Sequence, residues 1–73
     1  MLVREFIEGD FDTCFNYVIF DCREKGVCWE EAPILFSTVR PGEGKYKYLT
    51  EEILNMRIAY ITTAGRGVMI EAE

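Results

Sequence analysis

The sequence predicts a small α+β fold: one domain over residues 1–73, with a mainly antiparallel sheet of four to six strands, an N-terminal helix and a second short helix near 50–57. Three observations lead there. β-Branched and aromatic runs recur between Gly, Pro and Asp punctuation, which is strand and turn chemistry. Two short stretches carry helical spacing or a helix start. A chain of 73 residues, 49% of them hydrophobic, has material for one core and no more.

Residues 2–8, LVREFIE, place Leu2, Val3, Phe6 and Ile7 at spacings of one, three and four, opposite Arg4, Glu5 and Glu8, with Gly9 as a stop. The favoured reading is two turns of amphipathic helix. The V-E-I and L-R-F alternations keep a strand as the competing one. From Thr13 to Asp21 the residues suit a strand, with the run Tyr17, Val18, Ile19, Phe20 at its centre. Phe15, Tyr17 and Ile19 would face one side and Cys14, Val18, Phe20 and Cys22 the other. Both faces are apolar, so this strand is expected to be central in its sheet. Glu24, Lys25 and Gly26 form a turn, and Val27, Cys28 and Trp29 return as a second strand.

Pro33 opens a further strand through Val39, ended by Arg40, Pro41 and Gly42. After the PGEG turn, Lys45, Tyr46, Lys47, Tyr48 and Leu49 alternate as an edge strand would, with the lysines guarding the edge and the tyrosines inward. Thr50, Glu51 and Glu52 form a helix start, a capping hydroxyl followed by two carboxylates set against the helix dipole. Ile53 and Leu54 continue that helix, with Met56 and Arg57 at its end. Ile58 to Thr62 return to strand chemistry. Ala64-Gly65-Arg66-Gly67 then turns into Val68, Met69, Ile70 and Glu71, a C-terminal hairpin.

Charge and cysteine content narrow the function classes. Thirteen acids against eight bases give −5, with no basic cluster, so direct nucleic-acid binding is not expected. No apolar run approaches the roughly 20 residues of a membrane span, and no signal peptide is recognisable, so a cytoplasmic protein is expected. Three cysteines are an odd number and fit reduced, buried thiols. Cys14 and Cys22 would stand more than about 20 Å apart on a straight strand. Cys22 and Cys28 flank a turn and could form a hairpin disulfide in an oxidising environment. Zinc lacks ligands, since there is no histidine and no C-x-x-C pair, and no cofactor is expected.

The absence of histidine also removes the commonest general base and the Ser-His and Cys-His nucleophile arrangements. Glu30-Glu31 and Glu51-Glu52 are adjacent pairs whose members face opposite sides on a strand or cap a helix, so acid/base chemistry is the weaker reading. Asp10-x-Asp12 opens like a calcium loop, but Cys14 stands at position five and the glycine and closing glutamate are missing. Gly65-Arg66-Gly67 is too short for a phosphate cradle. A thiol enzyme on Cys22 or Cys28 would have only Arg23 and Lys25 to lower a thiol pKa. The chain reads as non-enzymatic.

What remains is surface. Asp10, Asp12, Glu30, Glu31, Glu51 and Glu52 fall at element ends, where convergence would make a negative patch for a basic protein partner; the alternative is a scattered, solubilising surface. Trp29 is either a core residue or an aromatic anchor beside those acids. Five phenylalanines, four tyrosines and one tryptophan are many to bury, so Phe11 or Tyr60 is a candidate contact residue.

Taken together, V-R-E-F-I-E at the N-terminus, the strand NYVIFD, L-T-E-E-I-L-N-M and the hairpin RIAYITTAGRGVMIE resemble short acidic proteins of phages and mobile elements of Gram-positive bacteria. Such proteins include inhibitors of host defence, anti-CRISPR proteins among them. The resemblance implies an origin in such an element, not a chemistry; the association raises the hypothesis of a protein of the host bacterial cytoplasm that occludes a host nuclease or defence effector by protein–protein contact. The alternative is a self-associating structural module that uses a strand edge or aromatic patch.

Overall fold

A computed structural model describes residues 1–9, 16–24, 31–40, 42–64 and 67–73. The expected return strand at Val27–Trp29 and the calcium-like Asp10-x-Asp12 lie outside these. The chain runs α1 (Val3–Glu8), β1 (Asn16–Asp21), β2 (Ile34–Ser37), α2 (Glu51–Leu54), β3 (Ile58–Ala64) and β4 (Gly67–Ala72).

Within LVREFIE, Val3–Glu8 is helical, and Leu2 before it is extended. Val3 and Phe6 are buried, and the Leu2 N–H donates to Glu5 Oε1 at 2.9 Å, which satisfies one donor at the open helix start. Gly9 ends the helix in an extended conformation at φ −78°, not in the left-handed cap that a terminal glycine suggests. At α2, Thr50 caps as expected, its hydroxyl accepting from the Ile53 N–H at 3.3 Å. The helix is shorter than the expected 50–57. It closes with Met56 N–H donating to the Ile53 carbonyl, and Arg57 has already joined Glu73 in two backbone bonds at 2.8 and 3.0 Å.

The four strands form one sheet in the order β2-β1-β4-β3. β1 is central, as its two apolar faces predict: Ile19 is fully buried, while Val18, Phe20 and Cys22 are half-buried. β1 pairs antiparallel with β2 and β3 with β4, but the middle pair, β1 with β4, is parallel from Asn16↔Gly67 to Asp21↔Ala72. The sheet is therefore mixed. β4 is inserted between β1 and β3, and the connection that joins the parallel pair contains β2, α2 and β3.

Ser37 ends β2 two residues before the expected Val39. Its buried hydroxyl accepts the N–H groups of Val39 and Arg40, both at 3.2 Å, and so turns the chain.

One expected strand is absent. Residues 45–49 are not extended partners of any strand; a single bond, Lys45 N–H to the Ile34 carbonyl at 3.1 Å, ties them to β2. Gly42 and Gly44 take φ of +91° and +103°, which redirects the chain before K-Y-K-Y-L can pair. Tyr48 is 78% exposed, not inward, and the Lys45 ammonium lies 5.3 Å from the Tyr46 ring centre. The alternation there comes from a loop.

The core lies between the helices and the sheet: Val3 and Phe6 from α1, Ile53 and Met56 from around α2, and Ile19, Leu35, Ile70 and Ala72 from the strands. Tyr17 joins it, its ring edge-on to Phe6 at 6.3 Å and 5.8 Å from Phe36. The N-terminus is stitched to the start of β3, through Val3 N–H to the Met56 carbonyl and Ile58 N–H to the Met1 carbonyl.

Candidate functional site

Of the acids and aromatic nominated from sequence, Asp10, Asp12, Trp29 and Glu30 lie outside the described residues. Glu31, Glu51 and Glu52 are described and exposed. The structure does not gather the three into one bare patch. Glu51 turns to α1, where Arg4 bonds it directly; the same guanidinium lies 3.7 Å from Glu8. Glu52 turns the other way, to Arg23.

Arg23 is the hub that sequence reasoning missed. It stands two residues after β1 and grips Asp21 with two side-chain bonds, Nε to Oδ1 at 2.8 Å and Nη2 to Oδ2 at 2.7 Å. Asp21 Oδ1 also accepts the Arg23 backbone N–H at 3.2 Å, so the turn after β1 fixes both groups. From this anchored position Nη1 reaches Glu52 Oε1 at 3.2 Å. Glu52 Oε2 accepts the Tyr46 hydroxyl proton at 2.6 Å. One carboxylate thereby joins the segment after β1, the loop after β2 and the first turn of α2.

Beside this network lies an open groove of about 370 Å³ lined by Asp21, Arg23, Glu24, Glu31 and Pro33. Glu31 is thus the nominated acid that the fold does bring into a shared surface feature. Arg23 is bonded to two carboxylates, Asp21 and Glu52, and shares the groove with two more, Glu24 and Glu31; Lys45 is close enough to act on Asp21 and Glu52. The D-x-R spacing at a strand end was the available signal for Arg23. Its link to Glu52, 29 residues on, had none.

The electrostatics follow the bonds. The hydrogen bonds from Arg23 hold Asp21 below the ordinary carboxylate range. Glu52 is lowered first by the Tyr46 hydroxyl and then by Arg23, and the Arg23 guanidinium is held still more firmly in its charged form by Asp21 and Glu52. Cys22 goes the other way: burial, then the charges of Glu71, Asp21 and Glu73, push its thiol up. A thiol kept protonated is a poor nucleophile.

A second surface lies at the far edge of the sheet. Ala59 to Thr63 of β3 are all exposed, with Tyr60 61% and Ile61 38% accessible. Tyr60, nominated as a contact residue, is therefore at the surface, while Phe11 lies outside the described residues. No helix among the described residues is long and apolar enough to cross a membrane. Comparison with protein-family models, with curated proteins and with solved structures found no match to this chain.

Proposed function

We propose that this chain is a small non-enzymatic binding protein that occludes a partner with a basic surface, a host nuclease or defence effector in the bacterial cytoplasm, in the manner of anti-CRISPR proteins. The observation that supports this reading is the Arg23-centred surface: one guanidinium bonded to Asp21 and Glu52, beside an open groove that Glu24 and Glu31 also line. Internal bonds fix Asp21 and Glu52, so little side-chain freedom is lost when a partner's Lys or Arg is added, while Glu24 and Glu31, which have no ion pair among the described residues, supply further negative charge. Groups arranged in this way steer a basic partner and select its register more than they add bulk affinity. Exposure of the groove to water makes the attraction fall with salt, since exposed charges more than about 10 Å apart are screened at 0.1 M ionic strength.

The test is capture of partners by tagged protein from the lysate of a Gram-positive host, eluted in rising salt and identified by mass spectrometry. The expected result is a basic effector released at moderate salt, whose activity on nucleic acid falls as stoichiometric amounts of this protein are added. A captured effector that keeps full activity, or one that elutes independently of salt, overturns electrostatic occlusion.

A further inference from the structure

The outer edge of β3 is open where most edges are guarded. β4 lies on one side of it; on the other, Met1 and Leu2 cover only its start, through the Ile58 N–H to Met1 carbonyl bond at 2.8 Å and a bridge between Leu2 and Arg57. Beyond Ala59 no described strand pairs with that side. Glu73 and Arg57 exchange both backbone bonds, and two-residue steps along β4 from Glu73 reach Gly67, so Gly67 with Ala64 is a hydrogen-bonded pair. The ladder alternates, so Thr62 with Met69 and Tyr60 with Glu71 are the next bonded pairs. The N–H and C=O groups of Ile61 and Thr63 are then directed outward.

Edge strands are ordinarily protected by lysine, proline or strong bulges. Between Arg57 and Arg66 this strand has no charge and no proline, and its one irregularity, between Ile58 and Tyr60, lies near its start. Ile61 stands opposite the fully buried Ile70 yet is 38% exposed, so the helices that cover the core leave this end of the sheet face open.

We propose that two copies of this chain pair through β3, antiparallel about a two-fold axis, so that the two sheets become one. The charge distribution selects this occupant. Each copy carries −5, and most approaches set acid against acid, but the stretch from Ile58 to Ala64 is neutral in both copies. A basic extended segment gains nothing from an uncharged strand that lies between two arginines in the sequence. The β-branched and aromatic residues of β3 are strand formers on either side of such a pair. The contact is short. Five open residues give about 17 Å of strand, against the roughly 20–30 residues a side of a standard stable interface. The dimer is therefore reversible and concentration-dependent, with dissociation in the micromolar range or weaker.

Sedimentation of the purified full chain from low micromolar to about millimolar concentration, with hydrogen exchange at both ends of that range, tests the pairing. The expected result is a mass rising from monomer to dimer, more readily at higher salt because the −5 of each copy is screened, with protection at the Ile61 and Thr63 amides that grows with concentration. Thr63→Pro removes an outward N–H without touching the β3–β4 ladder, and Ile61→Lys adds a guard; each should weaken dimerisation by roughly tenfold or more, with circular dichroism unchanged. A monomer at every concentration overturns the proposal, and so does a dimer whose Ile61 and Thr63 amides stay unprotected. Protection of those amides only on addition of a captured partner also overturns it, and assigns the edge to a partner segment instead.

Discussion

The hydroxyl of Tyr46 donates to the Glu52 carboxylate at 2.6 Å, and the other oxygen of that carboxylate takes Nη1 of Arg23 at 3.2 Å. A glutamate at the first turn of α2 thereby holds the loop that precedes it against the strand end on which the candidate groove is built. The groove's rim and the short helix are one mechanical unit, which has consequences for pH, for packing and for partner binding.

Acid should loosen that unit. Asp21 and Glu52 both titrate lower in the folded chain than in the unfolded one, so the folded state binds fewer protons. Their contribution to stability is complete above the unfolded values, about pH 4, and is lost as pH falls through the depressed folded values. Tyr46→Phe removes the largest cause of the Glu52 shift. Melting temperature followed from pH 7 downward should show the variant below wild type at neutral pH, with the gap closing in acid. Parallel curves would mean that the Tyr46–Glu52 bond is not linked to titration.

The two edge strands should respond differently to truncation. Leu35 on β2 is fully buried, so Leu35→Ala should cost about 2–5 kcal/mol, a large share of the stability of a domain this small. Ile61 on β3 is partly exposed, and Ile61→Ala should cost less than about 1 kcal/mol in dilute solution. Urea unfolding of both variants at low concentration gives the comparison.

How far these features were legible in the sequence depended on the range of the interactions. NYVIFD was readable as a central strand because both of its faces are apolar, and T-E-E-I-L as a capped helix because the cap lies three residues from its donor. The parallel pairing of β1 with β4 was not readable, since it joins residues about fifty positions apart and leaves no local period. K-Y-K-Y-L misled because alternation is the same whether residues line a strand or a loop, and the two left-handed glycines before it decided the outcome. In the candidate site, Glu31 was readable as a surface acid. The roles of Arg23 and Tyr46 depended on where α2 lands, which only the folded chain specifies.

Those two glycines differ in what surrounds them. A Cβ at Gly42 meets nothing within 4 Å, whereas at Gly44 it falls 2.3 Å from the Ile34 carbonyl oxygen, the acceptor for Lys45. Gly42→Ala should therefore cost only the left-handed penalty of about 1–2 kcal/mol. Gly44→Ala adds the displacement of a backbone bond, on the order of 1 kcal/mol more. Equal losses in denaturant unfolding would show that the loop moves away from β2 without cost.

Charge reversal on the groove separates the structural acids from the binding acids. Glu24 and Glu31 are exposed and have no ion pair among the described residues, so Glu24→Lys with Glu31→Lys should leave melting within a few degrees of wild type, as surface changes do. If occlusion of a basic partner is the function, the same pair should weaken capture by roughly tenfold or more and flatten its salt dependence, because two steering charges change sign. Glu51→Lys is the control. It breaks the contact with Arg4 on the α1 side of α2, away from the groove, and should alter helix docking more than partner binding. Titration of the captured effector with each variant decides the matter. Unchanged affinity in the Glu24/Glu31 double reversal would remove the groove from the binding surface, whatever the captured partner proves to be.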